Sequence, residues 1–145
     1  MFLQQSCSFM SKNILTENNI RVTPIRLQVL EVFNRFDNAL SLQTIEQEIG
    51  KHDRITLYRT LKTFTEKGII HEIAMLGGEK HLALCSNDCE QGIHNHQHEH
   101  IHFQCKNCNN VFCVEIDDFP QIKLEGFELS TIEITAQGKC KNCMK

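Results

Sequence analysis

The stretch Asp53-Arg-Ile-Thr-Leu-Tyr-Arg-Thr-Leu-Lys-Thr-Phe-Thr-Glu-Lys-Gly68 decides how the first half of this chain is built. Leu57, Leu61 and Phe64 recur at helical spacing and share one side, while Tyr58, Arg59 and Lys62 project from another. Asp53 is placed to cap the first turn and Gly68 to stop the last. Two β-like runs follow, IIHEIAML over 69–76 and EKHLALC over 79–85, joined across Gly77-Gly78 as a hairpin. Upstream, Thr23-Pro24 is a helix start, with Thr able to cap and Pro suited to the first helical position. Ile25, Val29, Val32, Phe33 and Phe36 carry that period as far as Asp37-Asn38. Ser41 opens a shorter helix with Leu42, Ile45 and Ile49 on one face and Gly50 beyond its end. Three helices and then a hairpin is the order of a winged helix-turn-helix.

In that arrangement the third helix suits the major groove of duplex DNA. Thr56, Tyr58, Arg59 and Lys62 lie on its polar side. Arg can fork onto guanine, Tyr can touch a thymine methyl or a phosphate, and Lys supplies a phosphate contact. Arg21, ahead of the first helix, can reach the backbone or the minor groove. Charge alone would make this an ordinary solvated helix face. Its position, third in order and directly before a wing, is what favours DNA.

Downstream the texture changes. Seven of the eight Cys lie at or after Cys85, and six of the eight His lie between His81 and His102. Residues 1–84 hold 10 Lys/Arg against 9 Asp/Glu (+1) and residues 85–145 hold 5 against 9 (−4), which sum to the net −3. A pI near 6.2 argues against a generic nucleic-acid coat, though not against a local basic helix. We therefore expect a winged-helix DNA-binding domain over 1–84, a hinge and His-rich loop over 85–99, and a zinc-stapled α/β domain over 100–145. The fold class is α+β. In the last part, IHFQC and NVFCVEI read as strands, Asp117-Asp118 and Pro120 as the start of a short helix, and GFELSTIEITAQG as an alternating strand. No run approaches the roughly 20 apolar residues that span a bilayer. The opening MFLQQSCSFMSKN has neither the basic start nor the apolar centre of an export signal. A cytoplasmic location follows as the expectation, and in that reducing medium disulfides explain the cysteines poorly.

Cys105-Lys-Asn-Cys108 and Cys140-Lys-Asn-Cys143 form the strongest chemical signal. Each CxxC turn presents two thiolates about 3.5–4 Å apart, two corners of a tetrahedron with Zn–S bonds of about 2.3 Å. Two such turns close the shell, leaving no place for water or substrate, so the site holds structure and does no chemistry. A redox dithiol or independent thiols is the competing reading.

These residues, taken in order, carry a resemblance. R-V-T-P-x-R (Arg21–Arg26), I-T-L-Y-R-T-L (Ile55–Leu61), E-K-G-I-I (Glu66–Ile70), H-x-H-F-x-C-x-x-C (His100–Cys108) and G-K-C-x-x-C (Gly138–Cys143) resemble the ferric uptake regulator superfamily. The likeness runs over about residues 20 to 143. It implies a homodimer with an α/β dimerisation domain, bound to an A·T-rich inverted repeat when metal is loaded. It also implies that Tyr58 and Arg59 occupy base-reading positions and Arg21 a minor-groove position.

Members of that superfamily answer to different metals or to peroxide, so the sensing donors must decide. A sensor has to join the two domains, because only then does metal select one orientation. The candidates are His71 at the start of the wing, Cys85 after its second strand, and His100 and His102 entering the C-terminal domain. On a strand, His100 and His102 point to one face about 7 Å apart. Imidazoles with a thiolate favour Zn²⁺ over Fe²⁺ or Mn²⁺. His71 and Cys85 also resemble the zinc uptake regulator branch, whereas iron sensors tend to carry a carboxylate near the position of Ala83. A further family site would use residues where this chain has Ile101 and Ile132. At Cys113 the family is usually acidic, and Cys113 is either a substitute ligand or a small core residue. Glu115, His81, Cys89, His94, His96 and His98 are surplus donors.

The expected function is thus a zinc-responsive repressor of metal-uptake genes, with a DNA operator and a second copy as partners, and neither a membrane nor a small-molecule substrate. An iron- or peroxide-responsive member is the alternative. A small zinc hydrolase is the distant one, since His98-Glu99-His100-Ile101-His102 satisfies H-E-x-x-H. That chemistry needs a helix. On a strand the outer histidines sit about 13 Å apart and cannot share an ion, so no catalytic residue is assigned.

Overall fold

The structure, a computed structural model, describes residues 2–75, 77–85 and 100–145. The chain divides into two compact units, Met1–His94 and Asn95–Lys145. The first contains α1 (Phe2–Glu17), α2 (Pro24–Arg35), β1 (Leu40–Ser41), α3 (Leu42–Ile49), α4 (Arg54–Glu66), β2 (Ile70–Ala74) and β3 (Lys80–Leu84).

Local chemistry explains where these helices start and stop. Ser41 caps α3 by accepting the Thr44 N–H at 3.2 Å. Asp53 caps α4 by accepting from Ile55 and Thr56 at 2.8 and 3.2 Å. Both match the sequence reading. Thr23 does not: it adopts the extended backbone of an N-cap, yet its hydroxyl makes no cap bond and is buried without a hydrogen-bond partner. Pro24 follows it and has no N–H to satisfy, so this start depends on the proline. Gly50 and Gly68 close α3 and α4 with φ of 75° and 70°, a backbone that side chains resist.

One core joins these elements. Val29, Leu30, Val32 and Phe33 of α2 meet Ile45 of α3, Leu57, Leu61 and Phe64 of α4, and Ile70 and Leu82 of the hairpin. Leu15 of α1 completes it with no exposed surface. Each fully buried aliphatic or aromatic side chain contributes on the order of 1.5–3 kcal/mol, so α4 is fixed by packing on its inner side while its outer side stays bare. β2 and β3 pair antiparallel with His71 opposite Ala83 and Ile73 opposite His81. Their turn closes through the Gly78 N–H to the Met75 carbonyl at 2.9 Å, with Gly78 at φ 80°. The two-residue β1 adds a third strand, Leu40 opposite Leu82. Removing the Asp53 cap (Asp53→Ala) is expected to lower unfolding free energy by about 1 kcal/mol, read from the midpoint of urea denaturation at unchanged slope.

The second unit holds a three-stranded sheet in the order β5-β4-β6, from β4 (His100–Cys105), β5 (Val111–Glu115) and β6 (Ile134–Gly138). β5 runs antiparallel to β4, and β6 parallel to it. Two expectations are corrected. Residues 116–133 contain neither the short helix after Asp117-Asp118 nor the first half of the long strand; β6 begins only at Ile134. Ile122, Leu124, Phe127 and Leu129 in this segment are all exposed, Phe127 by 75%. Without a surface to bury them, an apolar pattern does not repay the cost of ordering a helix or strand. The chain is α+β, a winged helix-turn-helix followed by a sheet that carries a four-cysteine cluster.

Candidate metal centre and nucleic-acid interface

The parallel pairing of β4 and β6 sets Cys105 level with Gly138 and brings the two CxxC turns to the same end of the sheet. Lys106 donates to the Gly138 carbonyl at 2.7 Å, and the Cys140 N–H donates to Cys105 Sγ at 3.4 Å. Gly138 is small for a reason: a Cβ there would touch the Phe103 ring at 3.4 Å. The first turn is closed by Asn109, whose N–H reaches the Cys105 carbonyl at 2.9 Å with φ of 62°, the second by Cys143 N–H to the Cys140 carbonyl at 3.0 Å.

The four sulfurs all lie within 4.8 Å of one another, and Cys108 Sγ and Cys140 Sγ are 3.9 Å apart. A tetrahedron with bonds of about 2.3 Å has edges of roughly 3.8 Å, so these donors fit Zn²⁺. Cys105 is buried, and the N–H groups of Cys108 and Cys140 hold its thiol down at about 6. The Asn110 N–H also favours the Cys108 thiolate, but desolvation and the neighbouring sulfurs outweigh it and push that thiol up to about 11. None of Cys85, Cys105, Cys108, Cys113, Cys140 and Cys143 is in a disulfide.

The remaining candidate donors form a group in each unit. In the wing, the Cys85 N–H pairs with the Ile69 carbonyl at 2.9 Å, which extends the hairpin register and places Cys85 diagonally next to His71 on one face. Cys85 Sγ lies 3.4 Å from His71 Nδ1, and both residues are half-buried. In the sheet, His102 stands opposite Cys113 and the backbone of His100 opposite Glu115, and alternation puts His102, Cys113 and Glu115 on one face. His102 is buried. Burial, helped by the Glu115 charge, raises the Cys113 thiol to about 11. His81 is buried opposite Ile73, and its Nδ1 has no hydrogen-bond partner. Cys89, His94, His96 and His98 lie outside the described residues. His100 to Cys105 form a strand, which removes the helix that H-E-x-x-H needs.

On α4, Thr56, Tyr58, Arg59 and Lys62 are all exposed, as is Arg21 ahead of α2. Arg54 pairs with Glu46 of α3 at 3.2 Å, tying the start of α4 to the preceding helix. Lys62 is only 3.9 Å from Glu66, and both side chains are well exposed. Sequence reasoning passed over Ile55, which is 64% exposed beside these residues. Its apolar character hid it among core positions.

A family model described as the ferric uptake regulator family matches residues 17–137. The chain belongs to the ferric uptake regulator family. Its members are metal-responsive transcription regulators. A Staphylococcus epidermidis protein named ferric uptake regulation protein is 29% identical over 138 residues, 91% of this chain and 93% of its own length. Among solved structures, a zinc uptake regulator complexed with zinc and DNA is 24% identical with a TM-score of 0.63, covering 97% of this chain and 94% of that one. The Vibrio cholerae ferric uptake regulator is 20% identical with a TM-score of 0.59, covering 88% of this chain and 98% of that one. At these identities the two structures speak to the fold, and they share the winged helix and sheet found here.

Proposed function

We propose that this family member is a zinc-responsive repressor of metal-uptake genes, acting in the cytoplasm as a homodimer on an A·T-rich inverted repeat. Zinc at Cys105, Cys108, Cys140 and Cys143 staples the second unit. A second, exchangeable zinc takes His71 and Cys85 from the wing with His100 and His102 from the sheet, and Cys113, level with His102, offers that ion another thiolate. The observation that carries zinc over iron is the thiol–imidazole contact of Cys85 and His71, a softer pair than a carboxylate shell would be. Residue 83, where iron sensors tend to place a carboxylate, is alanine. The solved zinc uptake regulator with zinc and DNA supports this reading by analogy. The iron-responsive alternative rests on the name of the S. epidermidis relative.

Dimer formation is supported by the face of the sheet opposite the donors. Alternation places Ile101, Phe103, Phe112, Val114, Ile134 and Ala136 there, with Val114 exposed by 44% and, in the same unit, Ile122, Leu124, Phe127 and Leu129 exposed as well. A second copy would cover them.

Tyr58 and Arg59 of α4 read bases with Thr56 beside them on the same polar side, Lys62 holds a phosphate, and Arg21 reaches the backbone or the minor groove. Arg59→Ala is expected to cost about 1–3 kcal/mol on the preferred duplex and little on random sequence, with dimerisation intact. An equal loss on all duplexes would assign Arg59 to a phosphate. The test of the whole reading is a metal count with a binding assay. The purified dimer should hold one zinc per chain that survives mild chelation and a second that is removed, with duplex binding following the second. A protein whose duplex binding is the same before and after chelation contradicts it.

A further inference from the structure

Ile55 sits in the first turn of α4 with 64% of its surface exposed, the largest value among the large apolar side chains described in the first unit. Its neighbours on the helix surface are Tyr58, Arg59 and Lys62, at i+3, i+4 and i+7, so the four make one exposed stripe. A β-branched aliphatic left in water at the start of a helix adds nothing to the core, whose α4 members are Leu57, Leu61 and Phe64. The turn that carries it is nonetheless held firmly. The Asp53 carboxylate takes the Ile55 N–H at 2.8 Å and the Thr56 N–H at 3.2 Å, and Arg54 is tied to Glu46. Isoleucine in a helix is restricted to essentially one χ1 well, so this apolar end is presented in a fixed direction.

What could cover it follows from its company. Arg59 and Lys62 make the stripe attractive to phosphate, and the first residues of a groove-inserted helix are those that reach base edges. On the major-groove edge, the one apolar group among the four bases is the 5-methyl of thymine. We propose that Ile55 reads a thymine 5-methyl in each half-site, adding a specificity contact that makes no hydrogen bond. The proposal rests on the reading of α4 as the groove helix. Tyr58, exposed one turn along, could also meet a methyl, so the test must separate the two.

The probe is the duplex that zinc-loaded full-length wild-type protein selects most strongly from a randomised pool. Each thymine is then replaced in turn, in both half-sites together, by deoxyuridine, which removes only the methyl. Burial of one methyl is worth about fourfold in affinity, so loss of two should weaken wild-type binding about fifteenfold at the position Ile55 reads. Ile55→Ala should bind the parent duplex more weakly by a similar factor and be indifferent to deoxyuridine at that position. Any position read by Tyr58 should stay sensitive in Ile55→Ala and become indifferent in Tyr58→Ala. Because the side chain is exposed, folding should be unchanged, and Ile55→Val, which keeps the branch, should retain most of the effect. The proposal is overturned if Ile55→Ala remains as sensitive as wild type at every thymine. If wild type selects no sequence at all, the groove-helix reading falls and this proposal with it, an outcome distinct from the first.

Discussion

Cys105→Ser is expected to leave the second unit unfolded, to lose the zinc proposed for its four cysteines and to abolish the proposed dimer. Cys105 has no exposed surface and ends β4, while Cys140 lies two residues past the end of β6, so a metal between them joins two strands distant in sequence. The sheet has little else to rely on. Its wholly buried apolar residues are few, among them Val111, and residues 121–130 are exposed throughout. Structural zinc in small sites supplies roughly 10–16 kcal/mol at neutral pH, more than the entire stability of a domain this size. Losing one thiolate should therefore abolish the fold of the unit. The first unit, with a core of its own, should keep its helices. Circular dichroism, sedimentation and a zinc count read these effects together. A zinc-free variant that is still dimeric and cooperative in its unfolding would refute the stapling role.

The second large effect is expected from Cys85→Ala combined with His102→Ala. The double variant should stay folded and dimeric, keep its Cys₄ zinc, and lose the zinc dependence of duplex binding. If zinc moves the dimer from mostly incompetent to mostly competent, the preferential binding required is about 5.5 kcal/mol, roughly 10⁴-fold in affinity. Removing one donor from each unit should forfeit most of that. A single substitution should leave a weaker response, because the other donors still hold the ion. Zinc-dependent binding that survives the double change would show that the exchangeable ion lies elsewhere, with buried His81 the next residue to test.

The physics that made parts of this protein legible also explains what was missed. Asp53, Ser41 and Gly68 each supply an atom or a backbone angle that a helix end requires, so the ends of α3 and α4 were readable from the chain. The Cys₄ cluster was legible because CxxC geometry is local, and only the parallel pairing of β4 with β6 had to be supplied by the fold. Thr23 looked like a cap but its hydroxyl is buried instead, a choice made by tertiary packing. α1 escaped notice because it has no starting signal in the sequence; among its described side chains Ser11 and Leu15 are buried. β1, two residues long, exists only because β3 is there to pair with it. Residues 116–133 were over-read: their apolar pattern is real, but among the described residues Ile122, Leu124, Phe127 and Leu129 stay exposed. Of the residues proposed to sense metal, spacing could place His100 and His102 together, whereas bringing Cys85 to His71 across 14 residues required the hairpin register.

In the proposed mechanism an ion held by sulfur and nitrogen donors switches DNA binding, and that ion is zinc. The direct measurement is a titration of duplex binding against buffered free Zn²⁺, Fe²⁺ and Mn²⁺, in the absence of oxygen, after only the labile metal has been removed. Zn²⁺ is expected to restore binding at free concentrations at least about a hundredfold below those needed for Fe²⁺ or Mn²⁺, the ordering that a thiolate-containing site imposes. Restoration by Fe²⁺ at equal or lower free concentration than Zn²⁺ would contradict it.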